Sequence, residues 1–98
     1  MGKYVLAYKG GKMAETDEER EAAMNAWGSW FGGLGPAVVD AGNPFAGSTA
    51  VGGDSTSGLT GYSILSADSL DAASKLAEGC PVLTNGGAVE VYEVLEVM

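Results

Sequence analysis

LTGYSILSADSLDAASKLAEG, residues 59–79, decides the fold. Residues 59–66 carry the aromatic and β-branched content of a strand and follow Gly58 directly. Asp68 is expected to cap the helix that comes next, in which Leu70, Ala73, Leu76 and Ala77 share one face, and Gly79 with Pro81 ends it. Asn85-Gly86-Gly87 then turns the chain into a final strand over about residues 88–97.

The same strand-helix-strand succession occurs once before it. In KYVLAYK, residues 3–9, Tyr4, Leu6 and Tyr8 alternate with Lys3, Val5, Ala7 and Lys9, and Gly10-Gly11 follows as a turn. Thr16 stands three residues before Glu19 as in a capping box, and Asp17, Glu18, Glu19 and Glu21 place negative charge at the positive end of a helix dipole. Steps of 100° per residue gather Ala23, Met24, Trp27, Trp30, Phe31 and Leu34 into an arc of about 120°, which is expected to be buried. Gly35-Pro36 stops this helix, and a second strand is expected at 37–41. Between the halves, residues 42–58 are rich in Gly, Ser, Thr, Asn and Pro. They read as an excursion with a short strand at Ser48–Val51, and residues 46–58 are expected to be the easiest part of the chain to open. The order β-α-β-β-α-β predicts a single α+β domain of ferredoxin-like type, an antiparallel sheet with two helices on one face.

Composition narrows the function classes. A chain of 98 residues with net charge -8 repels phosphate backbones and anionic lipid, and its five basic residues are scattered, so neither nucleic acid nor membrane is an expected partner. No apolar run approaches the roughly 20 residues that span a bilayer, and a cytoplasmic location is expected. A domain of this size buries only about 60–65% of its unfolded surface. Both faces of the first and third strands carry apolar residues, Leu6 with Val5 and Leu65 with Ile64, whereas two helices cover one face, so a homodimer formed through the sheets is expected.

The residues also resemble a known family. GLTGYSILSADSLDAASKLAEGCP (58–81) followed by GGAVEVYEV (86–94) is similar to the C-terminal half of YCII-related proteins, whose branches include one called DGPF. KYVLAYKG (3–10), Trp27, Trp30-Phe31, Leu34-Gly35 and VVDAGNP (38–44) are similar to the N-terminal half, so the resemblance spans residues 1–98 as one YCII-related domain. It implies a ferredoxin-like fold that pairs into a dimeric α+β barrel with a shared interior. This chain departs from the family at two points. Members with enzymatic character carry a histidine on the first helix, where Met24 or Asn25 stands here, and the chain has no histidine, so that chemistry does not carry over. Asn43-Pro44-Phe45 resembles only the tail of the Asp-Gly-Pro-Phe motif.

Two carboxylates are candidates for catalysis. Asp40 ends the second strand beside Gly42 and Asn43, where it either stabilises the turn or points into a cleft. Glu93 interrupts the apolar row Val89, Val91, Leu95 and Val97, as a paired structural acid or a functional one. Trp27 and Trp30 serve as core or as a stacking wall for a flat ligand, with Tyr8, Tyr62 and Asn43 as further candidate ligand contacts. No cofactor is expected. Gly10-Gly11-Lys12 lacks the spacing of a phosphate loop, and the absence of histidine with a single cysteine leaves no expected metal site. Cys80 has no basic neighbour in sequence and reads as inert. Two functions stand open: a dimer that binds, or converts without histidine, a small molecule in an aromatic and carboxylate pocket, and a non-catalytic dimerisation or protein-interaction module.

Overall fold

The computed structural model describes residues 2–11, 14–53 and 57–96. Strand β1 spans Gly2–Lys9, helix α1 Asp17–Leu34, β2 Val38–Asp40, β3 Leu59–Ala67, α2 Leu70–Ala77 and β4 Ala88–Glu93. The sheet order is β2-β3-β1-β4, with every pairing antiparallel. This is the split β-α-β arrangement: each helix connects two parallel strands with a third between them.

Alternation sets the two faces. Tyr4 lies opposite Leu65, Leu6 opposite Ser63 and Tyr8 opposite Gly61, while Val91 and Val89 pair with Leu6 and Tyr8 from the other side. These residues form the helix-covered face and, with Ala73, Ala77, Cys80 and Val82, the core. Val5, Ala7 and Lys9, with Tyr62, Ile64, Glu90 and Tyr92, belong to the helix-free face by the same period. There Lys9 Nζ reaches Glu90 at 3.7 Å, and the Tyr92 hydroxyl donates to the same carboxylate.

The helix ends follow local chemistry. Thr16 Oγ1 accepts the Glu19 N–H at 3.1 Å, and the Glu19 carboxylate returns to the N–H of Glu15 at 2.8 Å, a capping box reaching one residue further back than usual. For α2 the cap is Ser69, not Asp68: Ser69 Oγ accepts the Ala72 N–H at 3.0 Å, so the extended conformation that precedes the helix runs one residue further than expected. A 3-10 turn at Pro81–Asn85 precedes β4, where the sequence had suggested only a turn at Asn85-Gly86-Gly87.

Three further expectations change. The apolar arc of α1 is not buried; Trp27, Trp30, Phe31 and Leu34 are half-buried, and Met24 is 75% exposed. The helix is seated through its aromatic second half, and its first half stands away from the sheet. Residues 48–51 form no strand, since no pairing partner reaches them, and 46–53 are irregular and mostly exposed. The rest of the excursion, 54–56, lies outside the described residues. Strand β4 closes at Glu93, although the Val94 N–H still donates to Lys3 O at 3.0 Å; Val97, expected as its end, is outside the described residues.

Strand β2 is short for a steric reason. Gly42 has φ +77°, and a Cβ there would lie 1.8 Å from Tyr62 O. The chain breaks from β3 at this residue and rejoins it at Pro44, paired with Gly61. Gly42→Ala is therefore expected to destabilise the fold by at least about 2 kcal/mol, because left-handed strain and a carbonyl collision add. Gly28, inside α1 with nothing within 4 Å of an added Cβ, should gain about 0.5–1 kcal/mol on replacement by Ala. Urea midpoints of the two variants should move in opposite directions; equal midpoints would contradict the assignment.

Candidate functional site

Tyr8 is the last buried residue of β1, and its hydroxyl donates to Ser63 Oγ at 2.6 Å. Ser63 is fully buried on the helix-covered face of β3 and donates in turn to Ala41 O, also at 2.6 Å. The direction of this relay is fixed by its end, because a carbonyl only accepts. It ties β1, β3 and the exit of β2 together. Thr60 adds a link, its hydroxyl donating to Tyr8 O at 3.3 Å. Burial pushes the Tyr8 phenol up to about 12, against a smaller lowering by the Ser63 hydrogen bond.

Above this wall, α1 presents an aromatic chain. Trp27 meets Tyr8 edge-on at 5.0 Å and 73°, Trp30 meets Trp27 at 5.8 Å and 77°, and Phe31 packs on Trp30 at 4.9 Å. Trp30 Nε1 donates to Leu76 O at 3.2 Å, which seats the helix over the end of α2. On the far side, the Asp40 carboxylate accepts the Gly42 N–H at 2.9 Å, Asn43 O accepts the Tyr62 N–H at 3.3 Å, and Phe45 N–H donates to Thr60 O at 2.8 Å. These bonds carry the segment after β2 along β3, where Phe45 stacks on Tyr62 at 5.8 Å and 18°.

Between these walls lies a cavity of about 650 Å³. Met24, Trp27 and Phe31 line it from α1, Tyr8 and Ser63 from the sheet, and Phe45 from the loop. No charged side chain is among the described residues that line it. Of the residues singled out from sequence, Tyr8, Trp27, Asn43 and Tyr62 are brought together here. Trp30 stands behind Trp27 and packs on α2. Sequence reasoning passed over Ser63, although it breaks the apolar row Leu65 and Ala67 as visibly as Glu93 breaks its own. Phe31 was read only as core, Met24 as core and as the place of the family's histidine, and Phe45 only as the remnant of a motif.

The two candidate carboxylates stand elsewhere. Asp40 is exposed with one oxygen engaged in its own turn. Glu93 is exposed on β4 opposite Tyr4, four residues along β1 from Tyr8, or about 13 Å at strand rise. The Tyr4 phenol is held above its ordinary value first by burial and then by the charges of Glu93 and Asp68. Asp40 and Glu93 lie on the opposite edge strands of the sheet, about 14 Å apart at three strand spacings. Cys80 is 1% exposed, and burial raises its thiol to about 11. Among the described residues, no group of three or more His, Cys, Asp or Glu is placed to hold a metal ion, and no helix is long and apolar enough to cross a membrane.

Raised values for acids that are neutral when protonated have a definite sign for stability. The unfolded chain releases its protons first, so stability is fully present below the unfolded value and is lost as pH climbs toward the folded one. For Cys80 the window runs from 9.0 to about 11, and for Tyr8 from 10.0 to about 12. Urea midpoints should therefore fall as pH rises above 9, and Tyr8→Phe should make the fall above pH 10 shallower. An identical slope in wild type and variant would refute the burial of this hydroxyl.

Comparison with known proteins adds family membership to this geometry. No curated protein and no solved structure matches the sequence. The family model described as YCII-related domain matches residues 2–98, and the chain belongs to that family.

Proposed function

We propose that the protein binds a small, uncharged, largely apolar molecule in the cavity between α1 and the sheet. The observation that carries this reading is the cavity itself: about 650 Å³, aromatic on several sides, with a single buried hydroxyl relay in its wall and no charged side chain among the described residues that line it. Its volume falls within the range of small-molecule sites, and a few fixed polar groups in an apolar surround are what such sites use to orient a ligand. Met24 adds an adaptable, exposed thioether side chain at the lining. Ligand binding needs neither Asp40 nor Glu93, which stand apart from the cavity and from each other, and this favours binding over carboxylate catalysis.

The helix-free sheet face supports a homodimer as the second part of the proposal. Val5 and Ile64 lie paired at its centre with no helix above them, and Ala7 beside them, with Tyr62 and Glu90 as its cross-strand partners, is buried. A second copy covering this face would bury Val5 and Ile64 from water.

Titration of Nile red, a neutral apolar probe, tests the cavity. Wild-type protein should enhance its fluorescence saturably, and Met24→Ala should weaken binding about five-fold or more, since the methionine side chain is 75% exposed in the free protein and gains burial only against a ligand. The fold should be untouched by this change. Unaltered affinity in Met24→Ala, or no saturable binding by wild type, would sink the reading. Sedimentation equilibrium tests the dimer: a mass near twice 9.9 kDa is expected, falling to the monomer in Ile64→Lys. A wild-type mass of 9.9 kDa at micromolar concentration would remove it.

A further inference from the structure

Four residues of the sheet that line the cavity bear hydroxyls: Tyr62, whose ring is stacked on Phe45, and Tyr8, Thr60 and Ser63, whose hydroxyls are bonded within the protein. Each of the last three has one proton to give, and each gives it to the protein. Tyr8 donates to Ser63, Ser63 to Ala41 O and Thr60 to Tyr8 O, at 2.6, 2.6 and 3.3 Å. The order cannot be reversed, because the chains end on main-chain carbonyls, which have no proton to return. What these hydroxyls retain is lone pairs. Ser63 accepts the Tyr8 proton, but nothing in the relay donates to the Tyr8 phenolic oxygen.

We propose that the cavity selects molecules that combine an apolar ring with a hydrogen-bond donor, a hydroxyl or ring N–H, and discriminates against analogues in which that donor is methylated. The inference rests on the reading of the cavity as a ligand site and specifies its ligand class. A buried acceptor is satisfied by a donor and left unpaired by an ether, and the unpaired case is the costly one. Tyr8 is the positioning acceptor, and it holds its own proton throughout the neutral range. The aromatic chain from α1, with Trp27 edge-on to Tyr8 at 5.0 Å, supplies the surface on which the ring of the ligand packs.

The test is calorimetric titration of the full chain at pH 7 with 2-naphthol and with 2-methoxynaphthalene. Wild type should bind the naphthol about ten-fold more tightly than its methyl ether. In Tyr8→Phe the ratio should collapse toward one, chiefly through weaker naphthol binding. Ser63→Ala removes the acceptor of the Tyr8 proton, so Tyr8 becomes free to donate and the methyl ether should tighten. Far-ultraviolet circular dichroism checks that each variant is folded, and the wild-type ratio stands without them. Equal affinity for the two probes in wild type overturns the donor requirement while leaving the cavity as a ligand site. A ratio that persists in Tyr8→Phe overturns the role of Tyr8. Failure of both probes to bind overturns the cavity reading and this inference together.

Discussion

The seat of Trp30 determines where α1 lies, and through α1 the shape of everything above the sheet. Its indole N–H satisfies Leu76 O, one of the carbonyls that α2 leaves open at its C-terminal end. The ring is close enough to Gly79 that a Cβ there would lie 3.2 Å from Cδ1 and Nε1. A side chain at residue 79 would therefore require the indole to give by a few tenths of an ångström. Trp27, one turn earlier, transmits this placement to Tyr8 by an edge-to-face contact. With the second half of the helix anchored and its first half facing Gly10, Gly11 and the segment after β2, a gap is left that small residues do not fill. The cavity is thus a result of where one tryptophan finds its hydrogen-bond partner.

The opposite wall depends on the Ser63 relay and on Gly42. A buried hydroxyl with no partner would weaken the fold, and the relay satisfies both of its capacities inside the protein. Ala41 can offer its carbonyl because β2 bends away directly after it, and that bend requires the backbone of residue 42 to pass against Tyr62 O. Sheet register, core polarity and site geometry therefore meet at one strand exit.

The sequence made the strands legible because alternation carries both identity and face. Tyr4, Leu6 and Tyr8 declare the covered side of β1, and the capping chemistry at Thr16 locates the start of α1 to the residue. Less was legible where tertiary placement decides. The arc on α1 shows that one side is apolar, but a periodic pattern does not say whether that side rests on a sheet or faces a gap, and Met24 lies over the gap. Four of the five aromatic and amide candidates line one cavity, while the hydroxyl bonded to Tyr8 was hidden by being a serine, a residue whose burial depends on distant partners such as Tyr8, 55 positions away. The shift of the α2 cap from Asp68 to Ser69 is of a different kind: both residues cap well, and only the backbone selects between neighbours.

Glu93 has a reading that concerns the chain in a crowd of its own copies. Strand β4 is an outer strand of the sheet, and one row of its main-chain groups is open to pairing. The segment AVEVYEVLEV is otherwise well suited to templating fibrils, being β-branched, aromatic and free of proline. Glu93 places a charge on the side of the strand that carries Val89 and Val91, and Glu90 places one on the side that carries Tyr92. In-register stacking of identical strands would bring each of these carboxylates beside its own image at about 4.8 Å, and the repulsion would repeat at every layer. The interruption of the apolar row is then a gatekeeper against self-assembly, bought at the cost of a slightly smaller core.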